Sequence, residues 1–287
     1  MTTLKGKTAL VTGGGGGIGR GIAEAFGSHG AQVVVAELKE ERADAVRATL
    51  EAAKVDNMVV KADVRVQSEV TQLLGEIEKR YGKLDILVNN VGTASTPKRF
   101  EETTDEDWDF EYQINLRHMF VVTRAAIPLI RKSGASGSII NLSSIEAFRG
   151  IPLLTVYGAF KSAVIGFTQS LALELGHEGI RVNAIAPETT ESEVITPSKW
   201  IRPEDRGAIA SAIPLGRFGT PGDAAGCAVF LASELSAWVT GTTIHLDGGA
   251  LAAAGWHRLD NGAWTNAPVI SKGALRLGRG SRTESAR

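Results

Sequence analysis

Apolar, β-branched runs recur along the chain, and between them the apolar residues spread out to a helical period. The runs are TALVT (8–12), QVVVAE (32–37), NMVVKA (57–62), LDILVNN (84–90), GSIINLS (137–143), RVNAIAP (181–187) and TTIHLD (242–247). Amphipathic stretches near 17–29, 39–54, 66–81, 104–133, 157–178 and 222–235 fill the intervals. Alternation of this kind predicts a parallel sheet with helices on both faces. The runs are mostly apolar at successive positions, as strands covered on both sides must be. The pattern predicts one doubly wound α/β domain around a mostly parallel, seven-stranded sheet.

Two parts stand outside the alternation. Residues 188–216 are polar, interrupted by prolines and long for a connection, and are expected to form a substrate lid. Residues 251–287 extend beyond a catalytic domain at 1–250. In the extension Trp256 and Trp264 flank Asn261-Gly262, a turn signal that predicts a partly packed hairpin. From Lys272 the tail is basic and glycine-rich, and is expected to fray.

Composition narrows the class. A chain of 287 residues that is 43% apolar is long enough for a substantial core. A net charge of −1 gives no support for a nucleic-acid or anionic-membrane partner. No apolar run is long enough to span a bilayer and no signal peptide precedes the first strand, so a cytoplasmic protein is expected. The lone Cys227 excludes an intrachain disulfide and a cysteine-based zinc cluster, and reads as a small buried hydrophobe. Histidines 29, 118, 177, 245 and 257 show no ligand spacing, and no metal is assigned.

Five consecutive glycines, Gly13 to Gly17, and a sixth at Gly19 lie between the first strand and the first helix. Elsewhere such a run is a flexible linker. Here it opens a helix, whose free N–H groups and dipole favour an anion such as a dinucleotide pyrophosphate. The informative spacing is Thr12-Gly13-x-x-x-Gly17-x-Gly19; Gly14–Gly16 are redundant to it and are expected to be permissive. Glu37 ends the second strand, where a carboxylate accepts hydrogen bonds from ribose hydroxyls and opposes a 2′-phosphate. NAD is therefore expected ahead of NADP, with the nearby Lys39 counting the other way.

Further motifs follow in order: NNVG (89–92), Asn115 in YQINLRHMF, Ser144 in NLSS, and Tyr157 with Lys161 as Tyr-x-x-x-Lys. With the glycine loop they resemble the short-chain dehydrogenase/reductase family along about 250 residues. The resemblance implies a Rossmann-type fold and an NAD(P)-dependent oxidoreductase. In it Tyr157 exchanges a proton with the substrate oxygen, Ser144 hydrogen-bonds that oxygen, and Lys161 binds the nicotinamide ribose. Asn115 holds a water that links Lys161 to solvent. The implied cofactor site takes Thr12, Gly13, Gly17, Ile18 and Gly19 from the loop, and Glu37, Asp63 and Val64 from the next two strand ends. Asn90 and Gly92, Tyr157 and Lys161, and Pro187, Thr189 and Thr190 complete it, with Asp63 matching the family's adenine-contacting aspartate. Val91 stands in place of the family's alanine, and Glu188 in place of the glycine of Pro-Gly. Glu188 must either adopt the glycine's turn or alter it.

Tyr157 and Lys161 share one helix face, because residues four apart are neighbours. A phenol titrates near ~10 when unperturbed, and a nearby ammonium is expected to bring it toward neutrality. The expected pocket walls, 93–100, 145–156 and the lid around Trp200, are largely apolar, with Glu146 and Arg149 as exceptions. They suit a hydrophobic secondary alcohol or ketone, alicyclic or steroid-like; Phe148 and Leu153 equally suit a subunit interface. One alternative is a 3-oxoacyl-acyl-carrier-protein reductase, whose usual NADPH Glu37 disfavours. Another is a non-catalytic dinucleotide-binding regulator, which would lack part of the Asn/Ser/Tyr/Lys set that this chain retains. The helix at 157–176 is small or apolar around most of its circumference, which marks an interface. The resemblance implies a homotetramer, with a small molecule as the other partner.

Overall fold

The computed structural model describes residues 4–134, 137–193, 195–196, 201, 203–259, 262 and 264–266. Seven strands form one all-parallel sheet: β1 (Thr8–Thr12), β2 (Gln32–Glu37), β3 (Asn57–Lys61), β4 (Ile86–Asn89), β5 (Ser138–Leu142), β6 (Arg181–Pro187) and β7 (Thr243–Leu246). The spatial order is β3-β2-β1-β4-β5-β6-β7. Each strand falls where an apolar run predicts it.

Period-two geometry divides even these continuously apolar strands between two cores. Leu10, Val34, Leu87, Ile139 and Val182 face α3 (Gln67–Tyr81), α5 (His118–Arg131) and α6 (Thr155–Gly176), and pack with Leu73, Ile77, Val122 and Leu175. Their neighbours Ala9, Val11, Val33, Val35, Ile86 and Val88 face α1 (Gly17–Ser28), α2 (Glu40–Ala52) and α8 (Pro221–Ala232), and meet Ile22, Phe26, Leu50 and Ala228. Each large apolar side chain so buried contributes roughly 1.5–3 kcal/mol. No described helix is long and apolar enough to cross a membrane.

The strand order reverses at β1 and β4, whose connections leave toward opposite sides and open a crevice at the carboxyl ends of the strands. At its floor Gly19 lets α1 approach the loop: a Cβ there would stand 2.3 Å from the Gly13 carbonyl oxygen. The loop is shaped at more positions than the sequence pattern implies. A Cβ at Gly15 would lie 2.7 Å from the Glu37 side chain and 2.8 Å from that of Arg42, and one at Gly14 would lie 3.0 Å from Val35. Gly14 and Gly15 are therefore not permissive.

The helix predicted over 104–133 is interrupted. Thr104 caps α4 (Asp105–Tyr112) in a capping box with Asp107, and a π turn at Gln113–Arg117 separates α4 from α5. Such bulges are frequent at functional sites, and this one carries Asn115.

Within 188–216 a 3-10 turn (Pro203–Ala208) and the short α7 (Ile209–Ala212) are formed. After β7 come α9 (Ala250–Ala253) and an antiparallel pair, β8 (His257–Arg258) with β9 (Trp264–Thr265). The His257 ring reaches the Ser211 carbonyl at 3.3 Å. Trp200, Asn261 and the basic tail from Lys272 lie outside the described residues.

Candidate active site

A cleft of about 800 Å³ opens at the switch point, within the size range of small-molecule sites. Gly13, Gly17 and Ile18 line one part of it, Glu37, Asp63 and Val64 another, and Asn90 and Gly92 the middle. Ser144, Tyr157, Lys161, Pro187, Thr189 and Thr190 close the far end. Thr12, Gly19 and Asn115 do not line the cleft; the other sequence-predicted residues do.

Two of the predicted residues brace the loop. The Thr12 hydroxyl donates to the Val88 carbonyl and accepts from the Asn90 amide, and Asn90 Nδ2 donates to the carbonyls of Thr12 and Gly13. These bonds tie the end of β1 to the end of β4, and the Gly13 amide donates to the Ala36 carbonyl of β2. Glu37 is 6% exposed; its carboxylate accepts from the amides of Gly15 (3.0 Å) and Lys39 (3.1 Å). Asp63 is engaged side-on by Arg65, at 2.9 Å to Nε and 2.6 Å to Nη2, and this guanidinium holds its carboxyl below the usual range.

At the other end, Ser144 closes β5 and caps the 3-10 turn Ile145–Ala147, its hydroxyl accepting from the Glu146 amide. Tyr157 and Lys161 project from the first turns of α6. Lys161 is 4% exposed and donates to the Leu142 carbonyl at 3.2 Å. Burial pushes its ammonium down to about 8, while Glu111 acts to raise it. The Tyr157 phenol departs from the expectation. Lys161 Nζ stands 5.6 Å from the ring centroid, and burial raises the phenol above its ordinary value. Its hydrogen bond with Ser144 acts to lower it, and Glu146 and Glu111 raise it further. Desolvation, the largest cause, outweighs the hydrogen bond with Ser144.

Gly92 brings the fourth residue in. A Cβ at Gly92 would lie 2.9 Å from Lys161 Nζ and 3.1 Å from Asn115 Oδ1. Only a glycine lets these two polar groups converge beside the chain. The Asn115 side chain is fixed by Thr93, accepting from its amide at 3.2 Å and donating to its carbonyl at 2.8 Å.

Glu188 resolves the question raised by the missing glycine. It is not among the described non-glycine residues with positive φ, which are Lys54, Leu153 and Ala254, and its amide extends the pairing of β6 to the Leu246 carbonyl. Its carboxylate accepts from Arg149 at 2.6 Å, and Arg149 also donates to Glu146 at 2.8 Å. Glu146 and Glu188, bridged by Arg149, thus line the cleft together with the apolar Ile145, Ile151, Leu154 and Ile195. Phe148 is half-exposed, edge-on to the His245 ring, and Leu153 lines a separate small cavity.

Sequence reasoning missed three side chains. Arg42 lines the cleft beside Glu37; Glu193 hydrogen-bonds the Gly17 amide; Glu111 is buried behind Asn115. Glu111 stands four residues before Asn115, a spacing that sets the two side chains side by side once the fold has buried them. Cys227 sits half-buried on α8, and burial pushes its thiol up to about 11, away from nucleophile chemistry.

Fold and cleft define a dinucleotide-binding oxidoreductase class, and the comparisons narrow it. The family model described as enoyl-(acyl carrier protein) reductase matches residues 13–250. The chain is 38% identical over 249 residues to the 3-oxoacyl-acyl-carrier-protein reductase FabG of Thermotoga maritima, covering 86% of this chain and 98% of that protein. It is 37% identical over 256 residues to galactitol 2-dehydrogenase of Agrobacterium fabrum (86% and 98% covered). It is 38% identical over 257 residues to L-fucose dehydrogenase of Bos taurus (87% and 91% covered). The chain belongs to the short-chain dehydrogenase/reductase family, whose oxidoreductases use nicotinamide dinucleotides.

Proposed function

We propose that the protein interconverts a secondary alcohol and its ketone with NAD(H), on a substrate whose body is largely apolar and alicyclic. The observation that carries this is the convergence of Ser144, Tyr157 and Lys161 at one end of the cleft, with Asn115 meeting Lys161 beside Gly92. The glycine loop fits the dinucleotide: Gly13, Gly16 and Gly17 present backbone without side chains to the cleft, while the missing side chains at Gly14, Gly15 and Gly19 let the loop pack against Val35, Glu37 and the Gly13 carbonyl. When bound, the nicotinamide supplies the hydride acceptor or donor. The protein's part is proton transfer and orientation. Tyr157 takes the alcohol proton in oxidation and returns it in reduction, while the Ser144 hydroxyl holds the substrate oxygen beside it. Lys161 binds ribose hydroxyls, and Asn115 anchors the water path behind it. Asp63 and Val64 border the adenine, and Thr189 and Thr190 the carboxamide side.

Glu37 supports NAD. A 2′-phosphate would meet a buried carboxylate already holding the loop amides of Gly15 and Lys39. Arg42 on the same wall is the group that would soften that preference. Residues 188–216 act as the lid of a catalytic domain at 1–250, with 251–287 as an extension. The assembly is a homotetramer built on α4, α5 and α6, where Tyr112, Phe120, Phe167 and Leu171 line an outward-facing groove.

The test is a panel of alicyclic, steroidal and sugar alcohols assayed by NADH absorbance, with Tyr157→Phe as the control. Oxidation of alicyclic or steroidal alcohols that vanishes in the control supports the reading. The similarity to FabG favours a second reading, a 3-oxoacyl-acyl-carrier-protein reductase. Selective NADPH-dependent reduction of an acetoacetyl thioester would establish it in place of the first.

A further inference from the structure

Glu111 is a carboxylate on α4 that is only 1% exposed. Burying a charged group is costly unless it is paired and hydrogen-bonded, so its partners should reveal its purpose. One oxygen accepts from the Ser95 amide at 2.7 Å, and the other accepts from Asn115 Nδ2 at 2.6 Å. Both oxygens act as acceptors of N–H donors, the pattern of an ionised carboxylate.

The two bonds determine which way the Asn115 amide faces. Nδ2 is committed to Glu111 and to the Thr93 carbonyl, which turns Oδ1 toward the Thr93 amide and the Gly92 side, where Lys161 Nζ also arrives. The Lys161 ammonium is itself buried and donates to a neutral carbonyl, that of Leu142. The other groups near this lysine leave the role of counter-ion to Glu111. His118 of α5 is fully buried and is held neutral down to about 3 by burial, with Lys161 adding to the effect. Tyr157, on the lysine's own helix, has its phenol raised by burial, and Glu146 acts on that tyrosine. On the other side of Glu111, a cavity of about 20 Å³ is lined by Ser95, Lys98, Asp107 and Tyr157. It has room for about one water with polar partners.

We propose that Glu111 is a positioning residue of the active site: its buried carboxylate orients the Asn115 amide and is the countercharge to the buried Lys161 on the far side of that amide. It acts through these two residues and needs no contact with substrate. The proposal rests on the reading of Asn115 and Lys161 as site residues.

The test uses the full-length protein without cofactor or substrate. Lysine labelled with carbon-13 at Cε is titrated by NMR, and the Lys161 signal is identified by its loss in Lys161→Arg. The wild-type midpoint is expected near the value of about 8 set by burial and Glu111 together. In Glu111→Gln, which keeps the shape and removes the charge, the midpoint should fall by about half a unit or more. Close opposite charges shift a pKa by roughly one to three units, and the Asn115 amide stands between these two. A folded Glu111→Gln with an unchanged midpoint overturns the proposal, even if its melting temperature has dropped, because only a structural role would then remain. Should that variant not fold, the wild type carries the test. The side-chain carboxyl signal of Glu111 should show an inflection at the Lys161 midpoint, and a flat trace there overturns the proposal. Since neither measurement involves turnover, either result stands apart from the fate of the hydride-transfer reading.

Discussion

The Glu193 carboxylate accepts a hydrogen bond from the Gly17 amide at 3.0 Å, joining residues 176 apart in the chain. The segment after β6 thereby places a negative charge on the first turn of α1. The proposed cofactor would bring its pyrophosphate to the same turn, so carboxylate and phosphate compete for one set of N–H donors. Glu193→Gln should therefore bind NADH more tightly. Charges at helix ends are worth about 0.3–1 kcal/mol, or roughly a two- to fivefold change in Kd. Titration by nicotinamide fluorescence measures it, and weaker binding would instead make Glu193 part of the cofactor site.

Removing the Tyr157 hydroxyl separates chemistry from binding. Tyr157→Phe preserves the ring against α6 but leaves the substrate oxygen without its proton partner. Turnover should fall by at least ~10²-fold, the usual scale for a general acid–base group. NADH affinity should hardly change. Turnover within tenfold of wild type would remove Tyr157 from its proposed role.

Cofactor choice should turn on Glu37 and Arg42, two neighbours with opposite charges. Glu37→Ala should raise kcat/KM with NADP relative to NAD, because the carboxylate facing a 2′-phosphate is gone while Arg42 stays on the same wall. Adding Arg42→Ala should reverse part of that gain. A wild type that already prefers NADP would refute the assignment to Glu37.

The proposed assembly should depend on an apolar surface. Phe120 and Phe167 meet edge-on at 4.8 Å in the outer groove of α5 and α6, and a monomer would leave that groove in water. Light scattering at micromolar concentration should give a mass near four chains, and Phe120→Asp should reduce it. A wild-type monomer would refute the tetramer.

The extension should contribute to stability through the packing of β8 beside α7. Deleting residues 251–287 should lower the melting temperature or the assembled mass. If melting, mass and kinetics all stay as in the full chain, the extension is an appendage.

The sequence alone determined the strands, their order along the chain and the covering helices. Burial on both faces leaves a continuous apolar run, as in TALVT and QVVVAE, and that signature is local. The spacing of Tyr157 and Lys161 was legible for the same reason, since a helix sets the relation between residues four apart. Only the tertiary structure decided the rest. In DEDWDFEYQINL, Glu111 reads as one more solvated acid; the fold of segment 93–95 over α4 is what buries it against Asn115. The π turn that carries Asn115 leaves no periodic mark. Glu193 reaches Gly17, and Arg149 reaches Glu188, only because the strand order brings the ends of β1, β5 and β6 to one crevice. The direction in which the Tyr157 phenol shifts was also beyond the sequence. Spacing announces a nearby cation, but the desolvation that raises the phenol depends on how the finished fold surrounds the ring.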